Sequence, residues 1–159
     1  MKTIGKNAFI RSGTVIYDDV KIGDDFVTGH NVLIRENTVI GNNVKVGSSS
    51  IIEGNCYLGN NINIQSMVFI PTKTAIDDNV FIGPCVTMTN DKYPPSKYLG
   101  GPSIMSGVVI GARATILPGV ILGEDSFIAA GSLVTKDVPS GMMAIGYPAR
   151  MVKKPVVMK

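Results

Sequence analysis

The chain has 159 residues, with 15 basic and 12 acidic side chains, a single histidine and no tryptophan. A net charge of +3 is too small a surplus to indicate a nucleic-acid partner. No stretch approaches the ~20 apolar residues of a membrane span, and the N-terminus lacks a signal-peptide core. Cys56 and Cys85 lie among apolar neighbours. We therefore expect reduced thiols and a soluble cytoplasmic chain that forms one domain over residues 1–159.

A six-residue repeat dominates the chain up to Met88. Every sixth residue from Ile4 onward is a sizeable apolar side chain except Thr28, and a second inward candidate, usually small or medium in size, follows four positions later. Gly, Asn and Asp fill many of the places between, which is turn chemistry. A helix would need a period of 3.6, so the pattern predicts one short strand and one turn per hexad. Such units bury too little surface alone and must stack into a solenoid with a continuous apolar core.

The period fails once, because Met88 and the next repeated residue, Ile104, are 16 positions apart. The interval contains TNDKYPPS, which is polar and aromatic, so we expect one loop of about residues 89–103 to protrude from the solenoid. With three hexads per turn of the solenoid, residues 4–139 predict about seven coils. Ser140 and Gly141 end the pattern, and residues 140–159 are expected to form a short basic tail or helix.

The regular hexads resemble the hexapeptide-repeat acyltransferase family, and residues 110–152 resemble the C-terminal coils of its acetyl-CoA-dependent members. The resemblance implies an all-β fold, a left-handed parallel β-helix of triangular section, and a homotrimer. Handedness comes from the resemblance alone, since parallel crossovers are usually right-handed. More narrowly, GHNVLIREN, IPTKTAIDDNVFIGPCV and TNDKYPPS resemble the branch that acetylates the amino group of UDP- or dTDP-linked 3-amino sugars.

In that branch an Asn-Asp pair lines the acceptor site, which implies that Asn90 and Asp91 are the catalytic residues. Amide formation from a thioester requires a neutral amine aligned with the carbonyl carbon, and the oxygens of both side chains can orient the amine. Many relatives use a loop histidine as a general base. The loop here has none, so we expect direct attack by the amine without a histidine base.

The resemblance also implies a set of substrate contacts. Glu36, Gly54, Thr72 and Asn90 are spaced 18 residues apart, so they should stack along one edge of the solenoid. At the position of Thr72 relatives often carry an acidic residue, which bears on the identity of the sugar. The expected substrate-binding residues are His30, Arg35, Glu36, Thr72 and Tyr93.

A second implied set would bind acetyl-CoA, with no metal required. Gly111 and Ala129 are also 18 apart, and such small residues would let the pantetheine arm lie against the backbone. Lys136, Arg150 and Lys153 are the expected partners of the coenzyme A phosphates.

Other interpretations remain open. Asn90-Asp91 could be a simple turn pair, and the charges of Arg35, Lys136 and Arg150 could be solvated surface groups. The acceptor could be another small molecule, or the chain could be a non-catalytic scaffold, because fold alone does not determine function. A zinc enzyme on this scaffold would need three histidine ligands, whereas the chain has one.

Overall fold

The computed structural model describes residues 1–155, and within that range the chain forms 22 strands and no helix. Three sheets form the sides of a left-handed parallel β-helix, which confirms the predicted fold class. We name the sheets faces A, B and C in the order in which the chain visits them, and the corners between them edges AB, BC and CA. No helix in the described part is long and apolar enough to cross a bilayer.

Each hexad contributes one strand, usually of two residues. Face A contains β1 (Thr3–Ile4), β3 (Lys21–Ile22), β6 (Val39–Ile40), β9 (Tyr57–Leu58), β12 (Ala75–Ile76), β15 (Ser103–Ile104) and β18 (Ile121–Leu122). Face B contains β4 (Val27–Thr28), β7 (Lys45–Val46), β10 (Asn63–Ile64), β13 (Phe81–Ile82), β16 (Val109–Ile110), β19 (Phe127–Ile128), β21 (Met142–Gly146) and β22 (Ala149–Lys153). Face C contains β2 (Val15–Ile16), β5 (Leu33–Ile34), β8 (Ile51–Ile52), β11 (Phe69–Ile70), β14 (Thr87–Met88), β17 (Thr115–Ile116) and β20 (Leu133–Val134).

Successive coils stack in register because paired residues are 18 apart, as in Ile34 and Ile52. The loop is the exception, since Ile76 pairs with Ile104 across 28 residues and the ladder continues undisturbed above it. Seven complete coils are present, numbered from the N-terminus, and β21 starts an eighth level beside β19. The predicted coil count and the position of the loop are therefore confirmed.

The second residue of each short strand points inward, together with the residue four positions later. Ile52, Ile70 and Ile82 are fully buried, and so is Val44. Burying one such aliphatic side chain stabilises the fold by about 1.5–3 kcal/mol. Several polar residues at inward positions bond to the backbone: Thr74 Oγ1, for example, donates to the Pro71 carbonyl at 2.7 Å. The buried Ser126 hydroxyl has no hydrogen-bond partner among the described residues.

A residue in the left-handed backbone conformation, with positive φ, recurs at the turns, typically three positions after the inward aliphatic residue. Many of these are Asn, such as Asn43 at φ 54° and Asn61 at φ 56°, as the composition of the turns suggests. Met67, Lys73 and Arg113 also adopt positive φ, although their side chains disfavour it by roughly 1–2 kcal/mol each. The stacked ladder on both sides fixes the turn even where the residue type does not favour it.

The C-terminal segment differs from the prediction of a tail or helix. Strands β21 and β22 form an antiparallel hairpin that closes at Tyr147 and Pro148. Ala144 and Ala149 are buried in it, and Met151 packs against the core. The hairpin forms because it covers the apolar end of the last coil, a gain that local composition does not reveal. Residues 156–159 of the predicted tail lie outside the described residues.

Candidate functional site

The loop of residues 89–102 leaves edge CA at coil 5 and is fastened at both of its ends. Gly100 N–H donates to the Asn90 carbonyl at 2.8 Å, and Gly119 N–H, one coil further, donates to the Gly100 carbonyl at 3.0 Å. The Thr89 hydroxyl donates to the Ile116 carbonyl at 3.1 Å. The base of the loop is therefore part of the ladder, and the backbone of Asn90 is fixed where the loop begins.

Asp91 organises the first turn of the loop. Its carboxylate accepts the backbone N–H of Tyr93 at 3.1 Å and that of Ser96 at 2.8 Å. Partial desolvation acts to raise the pKa of Asp91, but the hydrogen bonds from Ser96 and Tyr93 outweigh it and hold the pKa below its ordinary value. The side chain is thus a fixed anion at neutral pH and a weak base.

A cleft of about 220 Å³ lies where the loop meets coils 6 and 7. Asp91 and Lys92 face it from the loop, and Leu117 and Pro118 form an apolar wall. Its remaining lining residues are Thr89 and Thr135. A carboxylate, an ammonium group and two hydroxyl-bearing side chains therefore converge on an apolar surface, which is the usual composition of a small-molecule site.

Tyr93 lies at the outside of the loop rather than in the cleft lining. Its side chain is 76% exposed, and the Lys92 Nζ lies 5.7 Å from its ring centroid. In this single chain Tyr93 therefore contacts Lys92, and any contact with a substrate requires a ligand that extends beyond the cleft.

Three of the predicted substrate-binding residues form one cluster on edge CA, in coils 2–4 below the loop. Arg35 pairs with Glu36 at 2.9 Å and with Glu53 at 3.5 Å. Glu53 also accepts the Thr72 N–H at 3.3 Å, while the Thr72 hydroxyl donates to the Gly54 carbonyl at 2.5 Å. The hydrogen bond to Glu36, followed by its charge, raises the pKa of Arg35.

The predicted stack along edge CA is confirmed in its lower part. A Cβ on Gly54 would lie 2.8 Å from the Glu36 carboxyl carbon, and Thr72 bonds directly to Gly54. Phe69 pairs with Thr87, which keeps the register of the segment that leads to Asn90. Asn90 therefore follows Thr72 in the same column, at the level where the loop begins.

His30 lies on a different edge from these residues. It is in coil 2 on edge BC. Its ring nitrogen Nδ1 lies 2.9 Å from the Ser12 hydroxyl, and its backbone N–H donates to Ser48 Oγ at 3.0 Å. Asn90 belongs to coil 5, and three coil spacings of ~4.8 Å amount to roughly 14 Å along the axis. Within one chain, His30 does not reach the loop.

The residues expected to bind acetyl-CoA are distributed over several surfaces. Gly111 and Ala129 stack on edge BC, where a Cβ on Gly111 would lie 2.5 Å from the Ala130 nitrogen. Close packing of the coils therefore already requires glycine at 111. Lys136 is exposed on edge CA beside Thr135, whereas Arg150 and Lys153 are exposed on β22. Among the described residues, none of these three cations forms a salt bridge.

The comparison with protein families shows to which family the chain belongs. The family model described as bacterial transferase hexapeptide (six repeats) matches residues 2–36, 37–72 and 101–136, which is more than half of the chain. The chain belongs to the bacterial transferase hexapeptide family. The matched segments leave out residues 73–100, which contain most of the loop.

Similar proteins of this family carry acetyltransferase names. The chain is 49% identical over 61 residues to the 2,3,4,5-tetrahydropyridine-2,6-dicarboxylate N-acetyltransferase of Clostridium perfringens, covering 38% of this chain and 25% of that protein. Serine acetyltransferase of Neisseria gonorrhoeae matches with 28% identity and a TM-score of 0.55, over 62% of this chain and 39% of that one. A galactoside acetyltransferase solved with coenzyme A shares the fold at 24% identity and a TM-score of 0.53, over 90% of this chain and 65% of that one. The chain spans a quarter of the length of the Clostridium relative.

Sequence reasoning missed two residues of this site. Lys92 lines the cleft next to Asp91, and Glu53 joins Arg35 to Thr72. Glu53 follows an inward aliphatic residue as Arg35 does, 18 residues later, so the same spacing argument could have found it. Within the described residues no group of three His, Cys, Asp or Glu side chains is placed to hold a metal ion. Burial raises the pKa of Cys56 to about 11.

Proposed function

We propose that this chain is an acetyl-CoA-dependent N-acetyltransferase that acts on the amino group of a nucleotide-linked 3-amino sugar. The observation that carries the proposal is the cleft where the loop meets coils 6 and 7, in which Asp91 and Lys92 face the apolar wall of Leu117 and Pro118. Family membership supports transferase chemistry, and the acetyltransferase names of the Clostridium and Neisseria relatives favour an acetyl donor.

The reaction joins the amine nitrogen to the thioester carbon and breaks the carbon–sulfur bond. The proton that the nitrogen loses goes to the leaving sulfur of coenzyme A. An acceptor amine with a lysine-like pKa of ~10.4 must first become neutral, which costs about 4–5 kcal/mol at pH 7. Asp91 is too weak a base to keep that proton. Its charge instead orients the amine and stabilises the positive nitrogen formed during attack, with the Asn90 amide oxygen as a second acceptor.

The position of His30 supports a mechanism without a histidine base. The roughly 14 Å that separate its coil from that of Asn90 along the axis persist in a trimer whose threefold axis is parallel to the solenoid axis, because rotation about that axis keeps equivalent coils at the same height. Its place beside Ser12 and Ser48 suits contact with the distant part of a long substrate. In this proposal His30, Arg35, Glu36, Thr72 and Tyr93 bind substrate, and Asn90 and Asp91 act at the amine.

A homotrimer would unite residues that one chain keeps apart. The outward side chains of face C are mainly apolar, with Val15 52% exposed and Leu33, Ile51 and Phe69 partly exposed. A face of this kind favours burial against symmetric copies. With face C toward a threefold axis, edge CA of one copy would border edge BC of the next. The cleft would then lie near the small residues Gly111 and Ala129 of a neighbouring copy.

The same arrangement gives acetyl-CoA a path. The pantetheine arm would follow Gly111 and Ala129 on edge BC, so that the thioester reaches the cleft. The phosphates would lie near the C-terminal end, where the cations Lys136, Arg150 and Lys153 are exposed. These assignments follow from family resemblance and from the position of each side chain in the fold.

A second candidate is acetyl transfer to another small acceptor. It is favoured by the names of the relatives, which include a tetrahydropyridine-dicarboxylate N-acetyltransferase and a serine acetyltransferase. An acceptor of that size would occupy the cleft without extending to the cluster of Arg35, Glu36 and Thr72.

A thiol-release assay with acetyl-CoA separates these candidates. The panel contains UDP- and dTDP-linked 3-amino and 4-amino sugars, serine, and the same sugars without the nucleotide. Background hydrolysis without an acceptor is the control. Turnover with a nucleotide-linked 3-amino sugar supports the proposal, and turnover only with the small acceptors supports the second candidate. Absence of both turnover and coenzyme A binding would mean that the chain is not an acetyltransferase.

A further inference from the structure

Lys92 is a charged residue of the cleft that the proposed mechanism does not use. It lines the cleft together with Asp91, opposite the apolar wall of Leu117 and Pro118. A second cation weakens the binding of a protonated amine, because like charges repel and the repulsion is larger beside an apolar wall than in open water. The presence of Lys92 therefore indicates that the ligand carries an anionic group as well as its amine.

The charge of Lys92 is available for a ligand, although an aspartate precedes it in the chain. Among the described residues neither Asp91 nor Lys92 forms a salt bridge. The Asp91 carboxylate bonds instead to the backbone N–H groups of Tyr93 and Ser96. The Lys92 Nζ lies 5.7 Å from the Tyr93 ring centroid, and a contact of this kind leaves the N–H donors of the ammonium group accessible.

The turn that Asp91 closes also fixes the backbone of Lys92. The two hydrogen bonds that the Asp91 carboxylate accepts span residues 91–96, so Lys92 lies inside a closed turn. The start of this turn is tied to the ladder, because the Asn90 carbonyl accepts the Gly100 N–H at 2.8 Å. When a ligand binds, only the side-chain torsions of Lys92 have to be ordered, which keeps the entropic cost of the contact small.

The two hydroxyl groups of the cleft differ in what they can offer a ligand. The Thr89 hydroxyl donates its hydrogen to the Ile116 carbonyl at 3.1 Å, so it can only accept a hydrogen bond from a ligand. Thr135 is exposed on coil 7, and its hydroxyl can donate to an anion. Lys92 and Thr135 are therefore the side chains whose donors suit an anion in the cleft.

The size of the cleft narrows the identity of this anion. At about 220 Å³ the cleft is smaller than the roughly 300–1,000 Å³ of sites that enclose a drug-sized ligand. It therefore suits a sugar ring with its direct substituents, and the nucleotide lies outside. The anion that a sugar ring itself carries is the carboxylate of a uronate, attached to carbon 5. Only carbon 4 separates carbon 5 from the carbon that bears a 3-amino group, so amine and carboxylate can bond to neighbouring residues.

We propose that Lys92 determines acceptor specificity by binding a carboxylate on the sugar ring, so that the acceptor is a nucleotide-linked 3-amino uronate. The amine lies at Asp91, and the carboxylate lies at Lys92 and Thr135. This inference rests on the proposed function, because it selects among nucleotide-linked 3-amino sugars. A sugar with a methyl or hydroxymethyl group on carbon 5 would leave the ammonium group of Lys92 in the cleft without an anion.

The test compares two UDP-linked 3-amino sugars that differ only at carbon 5, where one has a carboxylate and the other a hydroxymethyl group. The variants are Lys92→Gln, which removes the charge, and Lys92→Arg, which keeps it. The matched control is Lys97→Gln, since Lys97 is likewise an exposed lysine of the loop but does not line the cleft.

The measured quantity is the ratio of kcat/KM for the uronate to kcat/KM for the hydroxymethyl sugar. The wild type should prefer the uronate, and loss of a charged hydrogen bond in Lys92→Gln should lower the ratio by about tenfold or more. Lys92→Arg should retain the preference, and Lys97→Gln should keep the wild-type ratio. Calorimetry of both sugars in the presence of coenzyme A, which lacks the acetyl group, measures the same preference without turnover.

Three results would overturn the inference. These are binding of neither sugar, absence of a preference for the uronate in the wild type, and an equal loss for both sugars in Lys92→Gln. The last result would place Lys92 at the diphosphate or at the amine, which the two sugars share. Failure of the proposed function would look different, because a preference in binding that depends on Lys92 would persist while neither sugar is acetylated.

Discussion

Edges AB and CA are built from hexads of the same repeat and are both polar, yet their polar side chains form hydrogen bonds with different partners. On edge AB the side-chain oxygens of Asp24, Asn42, Asn60 and Asp78 each accept the backbone N–H of the residue one coil below, at 2.6–2.9 Å. On edge CA the carboxylates of Glu36 and Glu53 bond to Arg35, and Asp91 bonds within the loop.

This difference in hydrogen-bond partners distinguishes the polar residues that stabilise the scaffold from those that can form a functional site. A polar residue that repeats every 18 positions can bond to the equivalent residue of the next coil, as Asn43 does to Asn61. Its hydrogen-bonding groups are then used within the scaffold and are not available to a ligand. Edge CA instead changes residue type from coil to coil, and at coil 5 it carries the loop that borders the cleft. We therefore expect substitutions on edge AB to change stability and substitutions at the loop to change activity.

The largest expected effect is on the rate. Asn90→Ala and Asp91→Ala should each lower kcat/KM by about 10²-fold or more, since each removes an acceptor that positions the amine. The Kd for acetyl-CoA should change by less than about twofold, because the coenzyme is assigned to other residues. Steady-state kinetics and calorimetry measure the two quantities.

The control for this prediction addresses loop geometry. Asp91→Asn removes the charge but keeps an oxygen that can accept the Ser96 N–H, so it separates the role of the charge from that of loop anchoring. Asp78→Asn makes the same change on edge AB and should leave the rate unchanged. Equal loss of acetyl-CoA affinity in both alanine variants would show that the acceptor site has been placed wrongly.

A second prediction concerns the ladder of edge AB. Asn60→Ala removes the oxygen that accepts the Asn42 N–H at 2.9 Å, and the loss of that bond should lower the free energy of unfolding by about 1–2 kcal/mol. Urea unfolding measures the change. Activity at 25 °C should stay at the wild-type value, and a large loss of kcat in a folded variant would contradict the separation of the two edges.

The repetitive part of the fold could be predicted because each hexad repeats the same information. The inward positions of Ile34 to Ile82 are buried as the period requires, and the loop lies where the period fails. The left-handed turns at Met67 and Arg113 could not be predicted from residue type. They are imposed by the coils stacked above and below, which outweigh the local preference.

The ends and the site were harder to predict, because they depend on contacts between distant residues. Residues 140–155 have turn and basic composition, and only the exposed apolar end of coil 7 explains why Ala144 and Met151 turn inward as a hairpin. For the site, the sequence located Asn90 and Asp91 at the loop. It could not show that Lys92 faces the cleft, since a loop has no period from which to infer side-chain direction.

The smallest expected effect is the pH dependence of loop anchoring by Asp91. Its folded-state pKa is lowered, so the stabilisation is fully present above the unfolded value of about 3.9 and is lost as pH falls through the folded value. Hydrogen exchange of the Tyr93 and Ser96 amides, corrected for intrinsic rates, should therefore show constant protection from pH 8 down to about 5 and reduced protection below about pH 4. The Asn42 amide, which bonds to the non-titrating side-chain amide oxygen of Asn60 on edge AB, is the matched reference within the same sample. In Asp91→Asn the charge is absent at every pH, so the step in protection should disappear. A step near neutral pH in the wild type would mean that Asp91 holds a proton there and can act as the base that this mechanism does without.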